Sequence, residues 1–135
     1  MISEHISYDE ATVSPTALRL GIDNTPPDDV LDAMKAVSEH CFEPIRKWYG
    51  KPIRVNSFYR CPELNKAVKG SPTSQHAKGE AIDITGGSRE ENKKIFEWAK
   101  ANLIFDQLIN EYNFSWVHIS FKMKGGNRNQ TLAIT

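Results

Sequence analysis

Ser74-Gln75-His76-Ala77-Lys78-Gly79-Glu80-Ala81-Ile82-Asp83 is the stretch from which the rest of the chain is read. It sets a histidine in a turn and carries an aspartate into the strand that follows, Ala81 to Thr85, which Gly86-Gly87 closes. Side chains alternate along a strand, so Asp83 shares a face with Ala81 and Thr85 while Ile82 and Ile84 point the other way. A second strand-like run, Trp116-Val117-His118-Ile119-Ser120, repeats the pattern. There His118 shares a face with Trp116 and Ser120, opposite Val117, Ile119 and Phe121. An aspartate buried alone in mid-strand is costly, and a cation or a network of donors offsets that cost. Two imidazoles and one carboxylate form a donor set suited to a catalytic zinc with an open fourth position. Each of the three alone reads more readily as an ordinary core or surface residue, as His5 and His40 do, and only their combination points to a metal.

The elements around these two strands follow from local signals. Residues 1–25, with Ser14-Pro15, read as an irregular arm. Thr25 is placed to cap a helix that starts after Pro26-Pro27, with Asp28 and Asp29 at its positive end. Val30, Met34, Val37, Cys41, Ile45 and Trp48 step by three or four as one buried face. Pro44 is expected to kink or split that helix near His40, and Gly50 to stop it. Ile53 to Arg60 alternates and is rich in β-formers, hence a strand; a short helix follows over Glu63 to Val68, and Gly70 to Thr73 form a loop. Ser88-Arg89-Glu90-Glu91 has the spacing of a capping box for a helix with Ile95, Ala99 and Leu103 inward. Phe105 to Tyr112 and Trp116 to Phe121 read as an antiparallel hairpin around Asn113. The polar tail after Lys122 is expected to loop back over an edge. Core packing is the reading for Trp48 and Trp98. The mixture is α+β.

At 135 residues, 39% hydrophobic and 25% charged, the chain suits a single domain spanning 1–135. Seventeen basic side chains balance seventeen acidic ones, and that excludes the basic excess expected of a nucleic-acid binder. Nothing in the balance suggests a local basic patch. Met1-Ile2-Ser3-Glu4-His5 is not the basic start of a secretory signal, and no apolar run approaches the roughly 20 residues that span a bilayer. A product made in the cytoplasm, without a membrane span, is the expectation. Cys41 and Cys61 read as buried free thiols, not as a disulfide framework.

Ser74-x-His76-x-x-Gly79-x-Ala81-x-Asp83 resembles the metal-binding signature of the zinc D-alanyl-D-alanine carboxypeptidase family, the peptidase M15 group, whose fold is shared with the hedgehog signalling domain. Asn56 to Asn65 is similar to that family's Ser-Gly-Tyr-Arg-Ser segment. Phe105 to Glu111 followed by Trp116 to Ser120 is similar to its closing strands. The resemblance runs from about Asp28 to about Asn129. It implies a small, mostly antiparallel sheet with helices packed on one side. It also implies that His76, Asp83 and His118 bind Zn2+, that Glu111 is the catalytic acid/base, and that Arg60 contacts substrate near the metal. Many relatives carry glycine where Phe58 stands and serine where Cys61 stands. Others place the glutamate three residues before the last histidine, where this chain has Ser115; the branch with a short hairpin keeps it in the preceding strand. The implied activity is a zinc peptidase, carboxypeptidase or L,D-endopeptidase, that hydrolyses peptidoglycan stem peptides. It is expected to be phage-endolysin-like, monomeric and active on the cell wall. The alternative is a non-catalytic zinc-containing binding module of the same fold.

Overall fold

Backbone pairing in this computed structural model, which describes residues 1–135, yields a mixed five-stranded sheet with α-helices, an α+β fold. The strands are β1 (Arg54–Ser57), β2 (Ala81–Thr85), β3 (Gln107–Glu111), β4 (Trp116–Ser120) and β5 (Gln130–Ile134), in the order β1-β2-β4-β3-β5. Every neighbouring pair is antiparallel except β3 and β5, which run parallel with Glu111 opposite Ile134. The expected hairpin is therefore present. The tail, expected to loop over an edge, is instead the parallel edge strand β5. Gln107 to Glu111 offers five residues of free edge, and Gln130 to Ile134 carries no charge or proline to prevent pairing there.

One face of the sheet is apolar: Ile82, Ile84, Leu108, Val117 and Ile119 are all fully buried. Against it pack α3 (Asp28–Val37), α4 (Glu43–Tyr49) and α6 (Arg89–Asn102), with Met34, Val37, Ile45, Ile95 and Ala99 turned inward. Pro44 has no N–H for the His40 carbonyl, so a π turn over Ser38–Phe42 separates α3 from α4, where the split was expected. Gly50 ends α4 in the left-handed region. Thr25 caps nothing. Its hydroxyl donates to Asp23 Oδ1 at 2.6 Å, and Pro27 occupies the cap position of α3 without a side-chain bond. Ser88 caps α6, but only half of the expected box forms, because the Glu91 carboxylate bonds Tyr49, Lys51 and Lys94 instead.

The arm is not irregular. Ser7 and Glu10 make a reciprocal capping box that opens α1 (Tyr8–Thr12), and Ser14 caps α2 (Pro15–Leu20) with proline in its first turn. Helices this short show no apolar period and are marginal alone. Burial of Ile2, Ile6, Ala11 and Ala17 holds them. Asn24 completes the attachment: its amide donates to the Thr12 and Tyr59 carbonyls, and its Oδ1 accepts from Cys61 N–H at 2.8 Å. Those bonds draw Phe58 to Arg60 out of the strand predicted through Arg60, so β1 ends at Ser57. Cys61 is buried and unpaired, and its sulfur caps α5 (Pro62–Ala67) by accepting from Leu64 N–H. Trp48 and Trp98 stack with ring centroids 5.0 Å apart, yet Trp48 is 42% exposed, so the pair lies at the rim of the core and not inside it. No helix is long and apolar enough to cross a membrane.

Candidate metal centre

The turn that carries His76 is built by its neighbours. Ser74 Oγ accepts from the His76 N–H at 3.2 Å and opens a 3-10 turn over Gln75–Lys78. Gly79 closes it at φ 71°, and a Cβ there would lie 2.7 Å from the Val30 carbonyl oxygen and 2.8 Å from Met34 Cγ. Only glycine satisfies both the left-handed backbone and the close approach to α3. The turn buries His76 to 3% exposure and brings its Nδ1 to 2.7 Å from the Phe58 carbonyl oxygen. A carbonyl only accepts, so Nδ1 carries the proton and Nε2 of the neutral ring presents a lone pair.

That lone pair faces Asp83 Oδ2 at 3.2 Å. Asp83 stands opposite His118 in the β2–β4 register, and Oδ1 lies 3.0 Å from His118 Nδ1. Two acceptors, Nε2 and a carboxylate oxygen, confront each other unless a proton or a metal cation lies between them. Tetrahedral zinc bonds of about 2.0–2.1 Å separate neighbouring donors by roughly 3.3 Å, close to both distances. Ligand atoms of all three residues lie within 4.8 Å of one another, and the residues present fit a zinc ion. The backbone bond to His76 Nδ1 is the orienting contact that metal-binding histidines use. Burial works to raise the Asp83 carboxyl, but positive charge on the imidazole side of the cluster outweighs it and holds it well below the usual carboxylate range.

Glu111 joins this cluster by register. Ile109 pairs with His118 and Glu111 with Trp116, so Glu111 lies two residues along the same face, its Oε1 3.8 Å from His118 Nδ1. Burial, aided by the charge of Asp83, raises the Glu111 carboxyl above its ordinary value against the pull of His118, His76 and Arg60. Arg60 arrives from the segment after β1, half-buried, with its Nε lacking any protein partner. Burial lowers its guanidinium, opposed by Asp83 and Glu111. All five residues line one cleft of about 850 Å³. Ser115, where some relatives carry a glutamate, donates its hydroxyl to the Tyr112 carbonyl and serves the turn instead.

Other cleft-lining residues were not singled out from sequence: Tyr112, Lys122, Arg128 and Ile134. Lys122 had a legible signal, standing four residues after His118 on the same alternating face. Arg128 and Ile134 had none, because the course of the tail is a tertiary matter. The remaining histidines stay outside: His5 bonds Glu43 on α4, and His40 stacks on Phe121. The family model described as Peptidase M15 matches residues 4–120. The match thus takes in both arm helices and ends with β4. No match was found among curated proteins.

Proposed function

The chain belongs to the peptidase M15 family, and from that premise we propose that it hydrolyses peptide bonds in bacterial peptidoglycan, with zinc held by His76 Nε2, Asp83 and His118 Nδ1. Membership makes it a hydrolase of the metallopeptidase type, and M15 peptidases are generally zinc-dependent. The observation that carries the reading is Glu111 beside the donor cluster, since a metal site serving only structure needs no half-buried carboxylate on its flank. A zinc ion in the cluster supplies a Lewis acid that makes water nucleophilic near neutral pH. Glu111 takes the proton of the attacking water and delivers it to the leaving amine nitrogen; a carboxyl raised above its ordinary value is better suited to both transfers. Arg60 offers its guanidinium to the carbonyl oxygen as charge develops, or to a carboxylate of the peptide. His76 is kept in the ligating tautomer by the Phe58 carbonyl. The substrate class is the stem peptide, cut by carboxypeptidase or endopeptidase action of the phage-endolysin-like kind, with the cell wall as the place of action and a monomer as the working unit.

Digestion of purified peptidoglycan by metal-replete protein, with mass spectrometry of the fragments, tests this. New amine and carboxylate ends should appear, and should vanish in a chelated sample. Glu111→Ala should keep its fold and metal content while losing about 10²- to 10⁴-fold in rate. Folded, metal-loaded protein that releases nothing from several wall types would overturn the catalytic reading and leave the non-catalytic module as the leading one.

A further inference from the structure

The chain is neutral overall, with seventeen basic and seventeen acidic residues, but its charges are not evenly placed. Apart from Arg60, Asp83 and Glu111 at the centre, the charged residues lining the cleft are Lys69, Lys78, Lys122, Arg128 and a single carboxylate, Glu80. Lys122 and Arg128 meet at one end, where both approach Asp106, and Lys78 ends the turn that leads into the facing strand β2. Phe121 N–H still bonds the Glu80 carbonyl, so strand pairing continues past β4 and brings Lys122 beside the segment that follows Lys78. Arg128 is fixed there by the fully buried Asp106, which accepts from Nε at 2.9 Å and Nη2 at 2.8 Å.

We propose that this end of the cleft, formed by Lys78, Lys122 and Arg128, is a subsite for a free carboxylate of the peptide substrate, three to four residues from the bond that is cut. The proposal rests on the peptidase reading above. Its distance follows from the strand. Lys122 lies four residues beyond His118 on the same face, about 13 Å at the rise of an extended chain, which is the span of roughly four residues of extended peptide. Lys122 is the telling residue. Asp106 is already satisfied by the two-pronged bond from Arg128, and the Lys122 ammonium stands 3.7 Å from it, 38% exposed. The anchoring of the tail therefore does not require a lysine at 122. Lys78, Lys122 and Arg128 against the carboxylates of Glu80 and Asp106 leave this end of the cleft net positive, and an excess of one sign concentrates substrates of the opposite sign and fixes their register. Lys122 and Arg128 lie beyond residue 120, where the family match ends, while Lys78 lies within it.

The test uses six-residue peptides carrying a single free carboxylate at successive positions, with carboxamides elsewhere. Their cleavage by the zinc-loaded protein is followed by kcat and KM, and their binding to Glu111→Ala protein by calorimetry. One position, three to four residues from the cut, should bind about five- to tenfold better as carboxylate than as amide, through KM and not kcat, with the advantage shrinking in high salt. Lys122→Gln should bring that ratio close to one, and Lys78→Gln should lower it. Lys100→Gln, on the exposed side of α6, serves as the control. If peptides are cut but no position prefers a carboxylate, or Lys122→Gln leaves the preference intact, the subsite is wrong and the peptidase stands. If nothing is cut but Glu111→Ala protein binds the carboxylate form with the Lys122-dependent preference, the subsite stands and the catalytic reading falls. Absence of both cleavage and binding overturns the subsite too.

Discussion

Gly79 shows how much of the centre depends on a residue without chemistry. Its φ of 71° and the 2.7 Å approach of the Val30 carbonyl let the turn press against α3 while the next residues enter β2. His76 and Asp83, seven positions apart in sequence, meet because that turn is so tight. Gly79→Ala combines a left-handed penalty with overpacking against backbone and Met34. It should destabilise the protein by about 3 kcal/mol, read as a lower denaturant midpoint. Zinc affinity should fall with it, because the turn that aims His76 is the part displaced. The Phe58 carbonyl works at the same scale, since a single backbone bond decides which imidazole nitrogen faces Asp83.

Among the elements, the hairpin between β3 and β4 stores the most unusual backbone. Tyr112, Asn113 and Phe114 all have positive φ, between 51° and 58°. None is glycine, so each is held by its surroundings at a cost of roughly 1–2 kcal/mol. The turn lies between Glu111 and Trp116, and it brings Tyr112 into the cleft beside Glu111, although neighbours on a regular strand point to opposite faces. Asn110 accepts from Phe114 N–H at 2.6 Å, and the buried Asn92 on α6 donates to the Phe114 and Ser115 carbonyls. Asn92 also accepts from Gly86 N–H, so one side chain ties the hairpin, the end of β2 and α6 together. Asn92→Ala leaves several buried groups unpaired and should cost about 2–3 kcal/mol. A thermal melt should show it as a loss of several degrees. A fall in kcat larger than the loss of folded protein would place the strained turn in the positioning of Glu111.

For the molecule as a whole, helices cover one face of the sheet and leave the other as the floor of the cleft. The closing segment is attached through Asp106, buried just before β3 and bonded by Arg128. The Arg128 side-chain bonds, opposed by burial, bring the Asp106 carboxyl from an ordinary 3.8 to about 2. A depressed carboxyl pKa stabilises the folded state above its unfolded value, and that contribution disappears as pH falls through the folded value. Asp106 therefore stabilises the fold fully above the ordinary 3.8, and this is lost as pH falls through about 2. Unfolding free energies of wild type and Asp106→Asn from urea titrations should differ at neutral pH by roughly 2 kcal/mol. They should converge as acid protonates the wild-type carboxyl. An equal gap at every pH would show that Asp106 acts through shape and not through charge.

The period-two alternation around Asp83 and His118, the Ser74-to-Asp83 spacing and the cap and stop signals are local, and they carried the metal-capable residues, both central strands, the split at Pro44 and the α+β class. Glu111 and Arg60 came through resemblance, and register then placed Glu111 two residues from the partner of His118. Other features arise from contacts between distant residues, which no window of sequence contains. The arm helices are too short to show a period, and their burial and Asn24 hold them. The parallel β5 depends on which edge is free once β3 and β4 have paired. The positive excess along the cleft is invisible in a chain whose charges sum to zero, because only folding brings Lys78, Lys122 and Arg128 into one cleft. Donor type and spacing are properties of the chain, whereas convergence and local charge are properties of its three-dimensional neighbourhoods.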